Sequence, residues 1–174
     1  MKRMSEEVFT VAVAISLFNE YVGYAPTQSE LTVMTGYNRA RVSSCISYLL
    51  SEGIITKQRK KPRTLTLYNV PPVTAKCKSY SPTVRFIWYC RNYVVRSSKW
   101  RTVITRMGHT RSSLIMRDTY PVDVLPFKLV ELLVNERVLS QDAVELLDEI
   151  DRTKNMRKLG LTEAQLHTGK RYTV

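Results

Sequence analysis

Apolar positions recur with a helical period through most of this chain, and the period breaks at a few well-marked places. Val8, Val11, Ala12, Ile15, Phe18 and Val22 predict a first helix with an apolar stripe. Ser5 is placed to cap it, and Glu6 and Glu7 lie in the first turn, where the helix dipole favours negative charge. Gly23 stops it. Thr27 and Glu30 have the spacing of a capping box and open a second helix carrying Leu31 and Met34, with Gly36 marking the turn. Asn38 is placed to cap a third helix, whose buried stripe is read as Val42, Cys45, Ile46, Leu49 and Leu50, and Gly53 ends it.

The period then changes. Residues 54–57 and 64–68 read as two strands, the second alternating like a half-buried one, joined by a basic turn that contains Pro62. Pro71, Pro72 and the polar residues up to Pro82 read as a linker over 71–82. A further helix is expected from about Thr83 to Arg96, because Arg85, Arg91 and Arg96 interrupt any strand alternation. Its aromatic residues Phe86, Trp88, Tyr89 and Tyr93, with Trp100, have the spacing of a packed core rather than of stacking platforms for single strands.

Residues 99–118 repeat the earlier helix–glycine–cap–helix pattern in part. Setting Gly108 against Gly36 aligns Val103 with Leu31, Thr110 with Asn38, Arg111 with Arg39 and Leu114 with Val42. The match decays where Asp118 and Pro121 replace Ile46 and Leu49. Two amphipathic helices follow. Asp123 can cap the first, with Pro126 near its start and Leu129, Leu132 and Leu133 on its apolar face. Ser140 can cap the second, carrying Val144, Leu147 and Ile150, with Lys154, Arg157 and Lys158 near its end and Gly160 stopping it. Their apolar faces could complete a core or join two copies in a homodimer. The fold class expected is mainly α with a small β-hairpin, divided into residues 1–70, a linker 71–82 and a helical unit 83–174.

Charge sharpens this picture. The formal net charge is +12, and from Gly53 through Arg117 there are fifteen Lys or Arg and no Asp or Glu. Residues 118–174 hold eight basic and ten acidic side chains, so the surplus belongs to the first two thirds. An idle solvated surface mixes its signs. An unbalanced one fits a polyanion.

Chemistry other than binding finds little material. Cys45, Cys77 and Cys90 form no CxxC pair, and only His109 and His167 could assist them, which is a poor set for zinc or a disulfide framework. No glycine-rich phosphate loop or partnered nucleophile is present. The basic stretch also lacks the carboxylates with which a nuclease holds metal ions. No catalytic residue, metal or cofactor is therefore expected. Residues 8–18 are apolar but follow two glutamates, which is not a signal-peptide pattern. No run is long enough to span a bilayer, and a cytoplasmic protein is expected.

Residues 5–70 resemble a winged helix-turn-helix domain of the kind found in many transcription regulators. The residues that carry the resemblance are the Thr27, Gly36 and Val42 core, the "YLLSEGII" junction at 48–55 and the basic hairpin. The likeness implies double-stranded DNA as partner, with a recognition helix at about 38–52 in the major groove and a wing at 57–63 on the backbone. The residues expected to face DNA are Tyr37, Asn38, Arg39, Arg41, Ser44, Ser47 and Tyr48 on that helix, and Lys57, Arg59, Lys60, Lys61 and Arg63 on the wing. Arg106, Thr110 and Arg111 join them if the second motif also reads. Arginine can fork onto guanine, serine can serve bases or phosphates, and Asn38 is foremost a cap. The reading is a sequence-specific transcription regulator. Its rivals are a replication initiator or DNA-architecture protein with two tandem motifs, and a winged helix that binds an acidic protein.

Overall fold

The computed structural model describes residues 4–67, 82–90, 97–110 and 125–159, with backbone alone at 88–89, 107–110, 125–128 and 155–159. These residues form seven helices and a small hairpin: α1 (Glu6–Val22), α2 (Gln28–Thr35), α3 (Arg39–Ser51), β1 (Ile55–Thr56), β2 (Thr66–Leu67), α4 (Pro82–Cys90), α5 (Ser98–Thr110), α6 (Leu125–Asn135) and α7 (Asp142–Leu159). The fold is thus mainly helical with one antiparallel two-stranded sheet, in which Ile55 pairs with Leu67 and Thr56 with Thr66.

The local signals act as expected. The Ser5 hydroxyl accepts from Val8 N, Thr27 and Glu30 form a complete capping box, and Asn38 accepts from Arg41 N. Pairing a side-chain acceptor with an otherwise orphan N–H is what starts each helix at that residue. The Ser140 hydroxyl likewise accepts from Asp142 N at the start of α7.

Burial differs from the single stripe expected of α1. Phe9, Thr10, Val13, Ala14, Ser16 and Leu17 are buried along with the stripe. The helix is enclosed because α2, α3, β2, α4, α6 and α7 all pack against it. Leu50, by contrast, is 37% exposed. It falls on the flank of α3 rather than on the face toward α1, so it leaves the buried stripe of Val42, Cys45, Ile46 and Leu49.

The two units separated at 71–82 share one core. Phe9 of α1 stacks on Phe86 of α4 at 5.5 Å and meets Trp100 of α5 edge-on at 4.4 Å. Trp100 is fully buried, and its Nε1 donates to the Thr10 hydroxyl at 3.1 Å. Glu20 of α1 accepts from Thr83 N at 3.0 Å, capping α4 from another helix, and the Ser16 and Thr83 hydroxyls share a 2.7 Å hydrogen bond. The division suggested by composition is therefore not a division of the hydrophobic core. The helix expected over 83–96 is described from Pro82 to Cys90, and the linker residues 71–81 lie outside the described residues.

α6 and α7 bury part of their apolar faces inside the chain, with Leu132, Val144 and Ile150 only half-buried. Leu129, Leu133, Ala143 and Leu147 are buried, and α7 packs on α2. The turn between them is tied to the end of α2 by Ser140 N donating to Met34 O at 2.7 Å, and Lys154 Nζ donates to Val22 O at the end of α1 at 2.6 Å.

Two helices end in the same way with different residues. After α3, Ile54 N bonds to Leu49 O and Gly53 N to Leu50 O, with Gly53 at φ 68°. After α6, Val138 N bonds to Leu133 O and Arg137 N to Val134 O, with Arg137 at φ 57°. Both are six-residue caps that need a left-handed residue, which glycine takes without cost and arginine does not. Arg137→Gly is expected to stabilise the protein by about 0.5–1 kcal/mol, read as a raised urea midpoint with an unchanged slope. An unchanged or lowered midpoint would show that no strain is held there.

Candidate nucleic-acid interface

The segment α2–turn–α3 is built from three local devices. Gly36 takes φ 72° and closes α2 by donating to Thr32 O; Asn38 starts α3; and residues 36–38 make the whole connection. The buried Val42, Cys45, Ile46 and Leu49 hold α3 against the core, which leaves Arg39, Arg41, Ser44 and Ser47 exposed on the outer face. Asn38 is exposed, but its side-chain oxygen is occupied by Arg41 N at 2.8 Å.

Two residues expected on that face are not fully on it. Tyr37 and Tyr48 are half-buried and pack against the core. Burial raises the Tyr37 phenol above its ordinary pKa, with Glu6 and Glu7 adding to the effect and a hydrogen bond shared with Thr10 opposing it. Tyr37 in turn supports Arg41, whose guanidinium lies 5.7 Å from the ring centroid and 3.4 Å from the Glu7 carboxylate. That ion pair is about half-exposed on both sides, so it is weak and exchangeable.

The hairpin projects beside α3. Lys57, Arg59, Lys60 and Lys61 are all exposed at its tip. The Thr64 hydroxyl closes the tip by donating to Lys61 O and accepting from Gln58 N, and the Thr56 and Thr66 hydroxyls share a 3.0 Å bond across the strands. Lys60 stands at φ 63°, an αL conformation uncommon for a residue with a side chain.

Arg63 is turned away from the tip. Its guanidinium forks onto Glu30 with two 3.0 Å bonds, reaches Ala25 O at 3.3 Å and covers the Tyr24 ring at 4.8 Å. Burial pulls the Glu30 carboxyl upward, but the bonds from Arg63 and Thr27 outweigh it and hold the group below its usual range. Sequence reasoning missed both partners, since Glu30 is 33 residues away and reads locally as a capping residue. The pair borders an open cleft of about 540 Å³ shared with Leu146, Ile150 and Lys154 of α7.

The second motif is not built as expected. The helix α5 continues through Gly108 to Thr110, the last residue described in this segment, so the turn anticipated at Gly108 is absent and Thr110 lies in α5. A glycine inside a helix is tolerated at a cost of about 1 kcal/mol when the flanking residues pack well, and Trp100 and Val103 are fully buried. Arg106 on α5 is ion-paired with Glu136 beyond α6. The Thr110 side chain and Arg111 lie outside the described residues.

Other chemistry can be placed briefly. Cys90 is buried, and burial pushes its thiol up to about 12; burial also raises Cys45. Neither is a thiolate near neutral pH. Among the described residues no three His, Cys, Asp or Glu side chains are grouped to hold a metal ion, and no helix is long and apolar enough to cross a membrane. Comparison with protein-family models, with curated proteins and with solved structures found no match to this chain.

Proposed function

We propose that this chain is a sequence-specific double-stranded DNA-binding transcription regulator, in which α1 to β2 act as a winged helix-turn-helix. α3 enters the major groove and the hairpin tip lies on the flanking backbone. The observation that carries the reading is the juxtaposition of two surfaces. One is the outer face of α3 with Arg39, Arg41, Ser44 and Ser47; the other is a hairpin tip with four exposed basic residues and no carboxylate of its own. The first surface suits base edges and the second suits phosphates. The ion pair of Arg41 with Glu7 is compatible with this, because an exposed pair gives up its cation to a base or phosphate at little cost.

Selection from randomised duplexes, followed by binding at several salt concentrations, tests the proposal. A preferred sequence is expected, with log K falling linearly in log salt by about 0.9 per neutralised phosphate. Arg41→Ala and Ser44→Ala should each narrow the preference for the selected site over a scrambled one by about 1–3 kcal/mol. Equal losses on both duplexes would mean that these side chains touch only phosphate. Binding without any preference would remove the regulator reading, and no binding at all would remove DNA as the partner.

A further inference from the structure

Among the described residues the hairpin ladder joins only two residue pairs, Ile55 with Leu67 and Thr56 with Thr66, and so short a ladder is marginal by itself. Something else must hold the tip in a fixed direction if it is to meet a duplex. The contacts of Arg63 supply a candidate. Its fork onto Glu30 is bidentate, and the carboxylate it grips is itself fixed, because Glu30 Oε2 accepts from Thr27 N at 2.7 Å at the start of α2. Its other faces rest on Ala25 O and on Tyr24, whose ring meets Phe18 of the core at 5.9 Å. Arg63 also holds the chain at φ 54°, where the hairpin turns back toward β2. A planar guanidinium with both edges engaged fixes direction in a way that a point charge does not.

We propose that Arg63 and Glu30 are positioning residues that anchor the returning side of the hairpin loop, just before β2, to the N-terminus of α2, so that the basic tip is presented at a set angle beside α3. Arg63 on this account is not a phosphate contact, although it belongs to the same run of basic residues. The proposal rests on the DNA-binding reading for its purpose, but the anchoring itself is independent of any ligand.

The test uses Glu30→Gln and Arg63→Lys in the full chain. Glu30→Gln keeps a residue able to serve the capping box and raises the net charge of +12 by one. On charge alone it should bind DNA more tightly. Anchoring makes the opposite demand: weaker binding, by about two- to fivefold, the size expected for loss of one well-formed ion pair. Arg63→Lys keeps the charge and loses the fork, and the same weakening is expected. Without DNA, both variants should be cut faster by trypsin after Lys57, Arg59 and Lys60. Binding equal to or tighter than wild type in both variants, or wild-type cleavage rates at the tip, would overturn the proposal. Faster cleavage in the variants of a protein whose wild type binds no duplex supports the anchor and instead overturns the DNA reading.

Discussion

Trp100→Ala is expected to destabilise the entire protein by about 3–5 kcal/mol, the range for removing a large aromatic side chain from a core. Trp100 is fully buried, lies edge-on to Phe9 and donates to Thr10. Its loss would open a cavity against α1 and leave the Thr10 hydroxyl without this donor. Because a domain of this size has only about 5–15 kcal/mol in hand, the change consumes a large share of the total. The informative point is where the damage appears. Trp100 lies beyond the residues read as a linker, yet the helix it touches is the one on which α2 and α3 are mounted. Urea unfolding followed by far-ultraviolet circular dichroism should show a single transition moved to lower denaturant, with binding to a selected duplex lost in step. A variant in which α1 to β2 melt separately at the wild-type midpoint would show that the two units do not share stability. For the same reason a fragment of residues 1–70 is expected not to fold cooperatively, since Phe9 and Ser16 would lose their partners Phe86, Trp100 and Thr83.

The second large effect concerns the hairpin tip. Replacing Lys60 and Lys61 together by Ala should weaken binding to every duplex and make the slope of log K against log salt shallower by about 2. Between about 50 and about 200 mM salt, such a variant would lose roughly tenfold less affinity than the wild type. Both lysines are exposed and have no acidic neighbour on the hairpin. The backbone strain at Lys60 is unchanged by the substitution, because alanine meets the same penalty at positive φ. The variant therefore reports charge, whereas Arg63→Lys reports geometry. An unchanged salt slope would mean that the tip never reaches the duplex.

How much of this was legible depended on the range of the interactions. The caps at Ser5, Thr27, Asn38 and Ser140 and the closures at Gly23, Gly36 and Gly53 were readable, because each joins residues within a few positions of one another. The hairpin was readable from alternation and from its basic turn, with the first strand one residue shorter than expected at each end and the second starting two residues later. The outer face of α3 was readable for Arg39, Arg41, Ser44 and Ser47 as the complement of an apolar stripe. A sharper reading of α1 was available too: residues 8–19 contain no charged side chain, and a helix without a polar face is one enclosed on all sides.

Other features had no local signal. Helical spacing put Leu50 on the buried stripe of α3, but exposure depends on which neighbouring element covers that flank, and none covers Leu50 fully. Gly108 carried the mark of a turn, yet a glycine only permits a left-handed residue and does not require one, and packing of Trp100 and Val103 kept α5 continuous. Arg63 carried the same charge as its neighbours. Only the folding of α2 beside the hairpin brought the Glu30 carboxylate within reach and paired that charge with it. The sequence by itself thus determined where helices start and stop, which face of α3 is polar and where positive charge accumulates, since capping, periodicity and composition act over a few residues or need no coordinates at all. The tertiary structure alone decided that the two units share a core around α1, and which arginines are engaged by carboxylates. Those outcomes depend on contacts between residues 30 to 90 positions apart, for which short-range patterns carry no energy difference.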